Sequence, residues 1–149
     1  MMAYITDGRI VKNFSLAEMT NKQAKDEIKL VLTPEVIEFA QMMQELRDWA
    51  SSRHPMFARQ GLIVSSWYRT ESFNKEIGGS SNSAHLDGRA CDINNIPSSL
   101  FIAFTIAWEV ICSIHGKVGG VGYYDNFMHF TDHEDKFGNK TFQIRDWRK

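Results

Sequence analysis

The order of segments predicts an α+β domain: helical stretches come first, short strand-like stretches follow, and one long apolar helix is inserted among them. Size and composition agree. The chain has 149 residues, 43% hydrophobic and 23% charged, which suits a single soluble domain over residues 1–149 with one buried core. No repeat, low-complexity stretch or linker divides it.

Taken in order, residues 1–13 read as an extended arm. In "FSLAEM" (14–19), Ser15 is followed three residues later by Glu18, a capping box that opens a short helix. In the next helix Thr33 caps, Pro34 takes the first helical position, and Glu35 suits the positive end of the dipole. Val36, Phe39, Ala40, Met43, Leu46 and Ala50 recur at helical spacing and carry it to about residue 52. "GLIVSSWY" (61–68) predicts a strand, and "TESFNKEIGG" a short helix capped by Thr70 and stopped by Gly78 and Gly79. "SSNSAHLDG" is expected as a loop and "RACDIN" (89–94) as a strand. The apolar helix of 98–115 comes next. "VGGVGYY" and "FMHFTD" form a strand pair turning at Asp125-Asn126, and "GNKTFQIRDW" adds an edge strand.

Bulk properties exclude several classes. A net charge of −1 and scattered basic residues leave no field to draw the chain to nucleic acid or to an anionic membrane. The most apolar stretch, residues 100–114, is shorter than the ~20 residues of a membrane span and contains Glu109, so it is a core helix. Cys91 and Cys112 form no CxxC pair, which predicts free, buried thiols and synthesis in a reducing compartment. "MMAYITDGRIVKNF" has no basic region followed by an apolar one, so no signal peptide is expected.

The chemistry gathers in "SAHLDGRACD" (83–92). In a strand, Ala90 and Asp92 share one face while Cys91 and Ile93 feed the core from the other. Gly88 permits a tight turn that brings His85 back over Asp92, and Ala90 leaves room beside the carboxylate. An imidazole and a carboxylate suit zinc, but a site needs a third ligand. "YYDNFMHFTDH" offers His129, which shares a face with Phe127. Two readings stand for it, a satisfied core histidine or the ligand; beside His85 and Asp92 the ligand is favoured.

"SAHLDGRACD" matches S-x-H-x-x-G-x-A-x-D at every fixed position, and so resembles the zinc D-alanyl-D-alanine carboxypeptidases and L-alanyl-D-glutamate endopeptidases that cut peptidoglycan stem peptides. "VSSWYRTESFNKEIGGSSNSAH" is similar to the family's strand, arginine turn and approach to the histidine. "GGVGYYDNFMHF" is similar to its closing strand pair, and "FSLAEM" and "LRDWA" to the N-terminal helices of its phage-type members. The likeness runs from about residue 13 to 132.

The resemblance implies a Hedgehog/DD-peptidase-like α+β fold with a small antiparallel sheet, and Zn²⁺ held by His85, Asp92 and His129. It implies Arg69 near a substrate carboxylate or the developing oxyanion; the alternative is a surface arginine paired with Glu71 or Glu76. Ser83 would orient the loop or a ligand, and Tyr124 would line the cleft. Relatives carry the catalytic acid three residues before the last histidine or two after it. Those positions are Asn126 and Thr131 here, each beside an aspartate, so Asp125 is the first candidate base and Asp132 the second. Asp132 has an alternative as a solvated acid alongside Glu134 and Asp135.

The implied protein is a monomeric phage or prophage enzyme (an endolysin) or virion component. It would be made in the cytoplasm and act on cell-wall peptide after release, without nucleic-acid or membrane partners. The competing expectation is a non-catalytic wall-binding or structural phage protein of the same fold.

Overall fold

The computed structural model describes residues 9–20 and 32–149. Of the arm expected over residues 1–13, residues 1–8 lie outside the described ones. The rest forms β1 (Arg9–Val11), antiparallel to β2 (Phe14–Ser15). Helix α1 (Leu16–Met19) opens on the expected box: Ser15 Oγ accepts from the Glu18 N–H, and Glu18 Oε1 accepts from the Ser15 N–H at 3.0 Å. Helix α2 (Pro34–Arg53) starts where Thr33 Oγ1 accepts the Val36 N–H, and all six residues of the expected apolar stripe are buried. A short helix α3 (Pro55–Gln60) follows, and His54 packs its ring against Trp49 and Phe57.

The strand expected over 61–68 is shorter, β3 (Val64–Ser66), because the chain turns off toward the site. Helix α4 (Glu71–Glu76) is capped by Thr70 as expected. The segment expected as a loop contains a 3₁₀ turn at Ala84–Asp87, followed by β4 (Ala90–Ile93). A 3₁₀ turn, Ser98–Leu100, leads into α5 (Phe101–Ile114). Strands β5 (Gly120–Tyr123) and β6 (Met128–Thr131) form the hairpin, another 3₁₀ turn covers Glu134–Phe137, and β7 (Gln143–Asp146) is the edge strand. The fold is α+β. Among the described residues no helix is long and apolar enough to cross a membrane.

The main sheet runs β3-β4-β6-β5-β7, antiparallel except for the parallel β5–β7 pair. Alternation divides its residues. Cys91, Ile93, Val121, Met128 and Phe130 enter the core beneath α2 and α5. Phe14, Trp67, Phe39, Trp108 and Phe130 form a chain of edge-to-face rings with centroids 5.4–5.9 Å apart. Both buried indoles find carbonyls, Trp67 at Gly88 (2.8 Å) and Trp108 at Thr131 (3.0 Å). Cys91 and Cys112 are free and buried, as expected. The opposite face of the sheet carries the chemistry.

Candidate metal centre

Asp92 and His129 are direct cross-strand partners in the β4–β6 ladder, so one register places carboxylate and imidazole side by side. His85 arrives from the 3₁₀ turn. Ser83 Oγ caps that turn by accepting the His85 N–H at 3.2 Å, and Gly88 ends it in the left-handed region at φ 71°. A residue with a Cβ would be strained there. The potential ligand atoms of His85, Asp92 and His129 all lie within 4.8 Å of one another.

The donor set fits a metal. His85 Nδ1 donates to the Trp67 carbonyl at 2.6 Å, which turns Nε2 inward with its lone pair free. That Nε2 is buried and makes no directed hydrogen bond, although it stands 3.2 Å from Asp92 Oδ1. An inward lone pair beside a carboxylate, with no hydrogen-bond partner of its own, is what a cation satisfies. Burial pushes the His85 imidazolium down more strongly than Asp92 supports it, in the direction of the neutral ring that binds a metal. Burial works against the Asp92 charge too, but His85 and His129 more than offset it and hold the carboxyl well below the usual carboxylate range. His129 Nδ1 meets Asp92 Oδ1 at 2.8 Å.

Arg69 stands behind the carboxylate. Its Nη2 donates to Asp92 Oδ2 at 3.2 Å, its Nη1 to Asn74 Oδ1 at 3.2 Å and its Nε to Ser66 Oγ at 3.0 Å. It pairs with Asp92, and not with Glu71 or Glu76 as the alternative had it. Asn74 is itself buried and donates to the Ser80 carbonyl. Gly79 packs so closely on it that a Cβ there would come 2.1 Å from Asn74 Oδ1. The arginine turn and the loop before His85 are thereby one braced unit.

These groups line a cleft of about 460 Å³. On its floor β5 presents Gly122, the cross-strand partner of His129. A Cβ on Gly122 would come 3.3 Å from the His129 Cβ and 3.1 Å from the Tyr124 ring. Tyr124 lines the wall and stacks on Phe127, with centroids 4.2 Å apart. Ser83 and Arg69 also line it.

Neither aspartate expected as the base reaches the cleft. Asp125 is exposed on the hairpin turn, where its Oδ2 accepts the Lys149 N–H at 3.3 Å. Asp132 follows Thr131, so alternation turns it off the metal face. It is buried against Arg89, whose Nε donates to Oδ1 at 3.0 Å. Burial raises its pKa, with Arg89 opposing. Asp132 is therefore not a solvated acid either. His133 lies among Asp87 and Asp135, and His115 bridges Glu38 and Glu45 between the helices.

Sequence reasoning missed Glu134, Arg145 and Trp147 as residues of the cleft, and Asn74 as the buried brace behind Arg69. Glu134 stands in a run of acids and reads as solvated, yet it is 2% exposed. Only its long-range partners distinguish it.

Asp92 and His129 on one sheet face, with His85 brought over them by the 3₁₀ turn, form a donor set that could hold a metal ion at the cleft. A family model described as Peptidase M15 matches residues 12–131, and the chain belongs to that family. Its peptidases are zinc-dependent, and among the described residues His85, Asp92 and His129 form a group that could hold the metal. No curated protein matches the chain in sequence.

Proposed function

We propose that this chain is a zinc-dependent peptidase that hydrolyses peptide bonds in peptidoglycan stem peptides, of D,D-carboxypeptidase or L-alanyl-D-glutamate endopeptidase type. In this reading it is a monomeric phage or prophage wall-degrading enzyme, made in the cytoplasm and acting after release or from the virion. The observation that carries the reading is the convergence of His85, Asp92 and His129 beneath an open cleft.

Zinc held there supplies Lewis acidity and makes water a better nucleophile at neutral pH. The chain's own groups do the rest. Trp67 O fixes the His85 tautomer, Arg69 holds Asp92 in place, and Tyr124 and Phe127 form an aromatic wall for the peptide. Arg69 lines the cleft, and its guanidinium has N–H groups beyond its bonds to Ser66, Asn74 and Asp92, which suit a substrate carboxylate or polarised carbonyl.

The test is turbidity and new amino termini from purified peptidoglycan, with and without chelator. Cleavage is expected from the zinc-loaded protein, and is expected to vanish on chelation and in His129→Ala. A second reading, a wall-binding or structural protein, draws support from the neutral residues at Asn126 and Thr131 and from the two aspartates lying outside the cleft. Bound zinc with no cleavage of any wall chemotype would decide for it.

A further inference from the structure

The acids that line the cleft are Asp92 and Glu134. Asp92 is committed, its Oδ1 facing the imidazoles and its Oδ2 accepting from Arg69. Glu134 opens the 3₁₀ turn after β6, and its N–H donates to the Val118 carbonyl at 2.8 Å, which ties the turn to the start of β5. From there the side chain folds back over the sheet. A Cβ on Gly120 would come 3.0 Å from Glu134 Cγ and 3.1 Å from Oε1, so the carboxylate fills the place where β5 lacks a side chain. Gly120 pairs with Thr131, and Thr131 is the next residue after His129 on the metal face of β6.

Two donors fix this carboxylate. Arg145 Nη1 reaches Oε1 at 2.5 Å from β7, and Asn139 Nδ2 reaches Oε2 at 2.9 Å. The Glu134 side chain is 3% exposed and that of Arg145 is 40% exposed, so the acid is buried while its cation reaches the surface. An ionised carboxylate has further lone pairs on both oxygens beyond those two bonds.

We propose that Glu134 is the proton acceptor of this site, with Arg145 and Asn139 as its positioning residues. The inference rests on the peptidase reading above. In the step, the water oxygen bonds to the scissile carbonyl carbon as one water O–H bond breaks and its proton passes to Glu134. The proton then passes to the amide nitrogen as the C–N bond breaks, leaving a carboxylic acid and an amine.

The experiment compares zinc-loaded wild type with Glu134→Gln and Glu134→Asp. It measures zinc content, thermal midpoint, retention on purified peptidoglycan, and release of new amino termini. Glu134→Gln is expected to keep its zinc and its hold on peptidoglycan while turnover falls at least ~100-fold. Glu134→Asp keeps the charge but draws it back by one methylene, and is expected to fall between the two. If the glutamine variant does not fold, the aspartate variant decides alone. Folded, zinc-loaded Glu134→Gln within about threefold of wild type overturns the proposal, as does Glu134→Asp within that range where it decides alone. So does loss of zinc or of the folded state in both variants, which would make Glu134 structural. Zinc-loaded wild type that cleaves nothing overturns the peptidase reading instead.

Discussion

Residues 83–92 and residues 125–134 serve the same centre, but they reach it by different physics. In the first segment each position acts locally: Ser83 caps, Gly88 turns, and Ala90 and Asp92 alternate onto one face. In the second, local spacing settles His129 and little else. Asp132 leaves the metal face for Arg89, forty-three residues away, and Glu134 is drawn over Gly120 by Arg145 from the edge strand. A segment specified by caps and alternation can be read from its own letters. A segment whose acids are sorted by distant cations cannot.

The comparison breaks most visibly at the point where the two segments touch. Asp92→Ala removes a ligand and leaves Arg69, its side chain 12% exposed, without its carboxylate. The expected cost is about 3–5 kcal/mol, as for a buried pair stripped of one partner, with zinc binding and turnover abolished. Metal analysis and denaturant unfolding check it.

A smaller effect sharpens the second segment. Asp132→Ala removes the partner of Arg89 and is expected to cost about 1.5–3 kcal/mol while zinc content stays at the wild-type level. Loss of zinc in this variant would put Asp132 back at the centre. Its pH signature has a definite sign. Burial raises the folded pKa above the ordinary 3.8, with Arg89, Lys117 and His133 opposing, so over that window the folded state binds more protons than the unfolded one. Wild-type stability therefore declines as pH rises from about 3.8 through the raised value, and unfolding of Asp132→Ala followed against pH should lack that decline.

The smallest effect tests how local the first segment is. Gly88→Ala places a Cβ in the left-handed region at φ 71°. It is expected to cost about 1–2 kcal/mol and to reduce zinc affinity by displacing His85, which titration with a competing chelator would measure. A large stability loss with unchanged zinc affinity would show that the turn serves the core more than the metal.

Much of the fold was legible because its signals are short-range. Thr33-Pro34, Ser15 with Glu18, and Thr70 mark helix starts through bonds to residues three positions on, and the structure makes those bonds. Errors came where tertiary context trims or adds an element: β3 shrinks as the chain turns toward Arg69, and α3 forms where Pro55 follows His54. The three metal-ligand candidates were legible from spacing and alternation. Their support was not, since the tautomer of His85 depends on the Trp67 carbonyl and Asp92 is held by an arginine twenty-three residues away.

Short-range signals alone settle the α+β order of elements, the tight turn at Gly88, and the shared face of Ala90 and Asp92, because backbone stereochemistry and alternation act within a few residues. The tertiary structure alone decided which acids meet the cleft. Asp125, Asp132 and Glu134 are alike in their local setting, and they part company only where the Lys149 backbone N–H, the Arg89 side chain and the Arg145 side chain reach them. A buried charge must be matched by whatever cation the fold brings to it, and the fold brings Arg89 to Asp132 from just before β4 and Arg145 to Glu134 from β7, while Asp125 stays exposed.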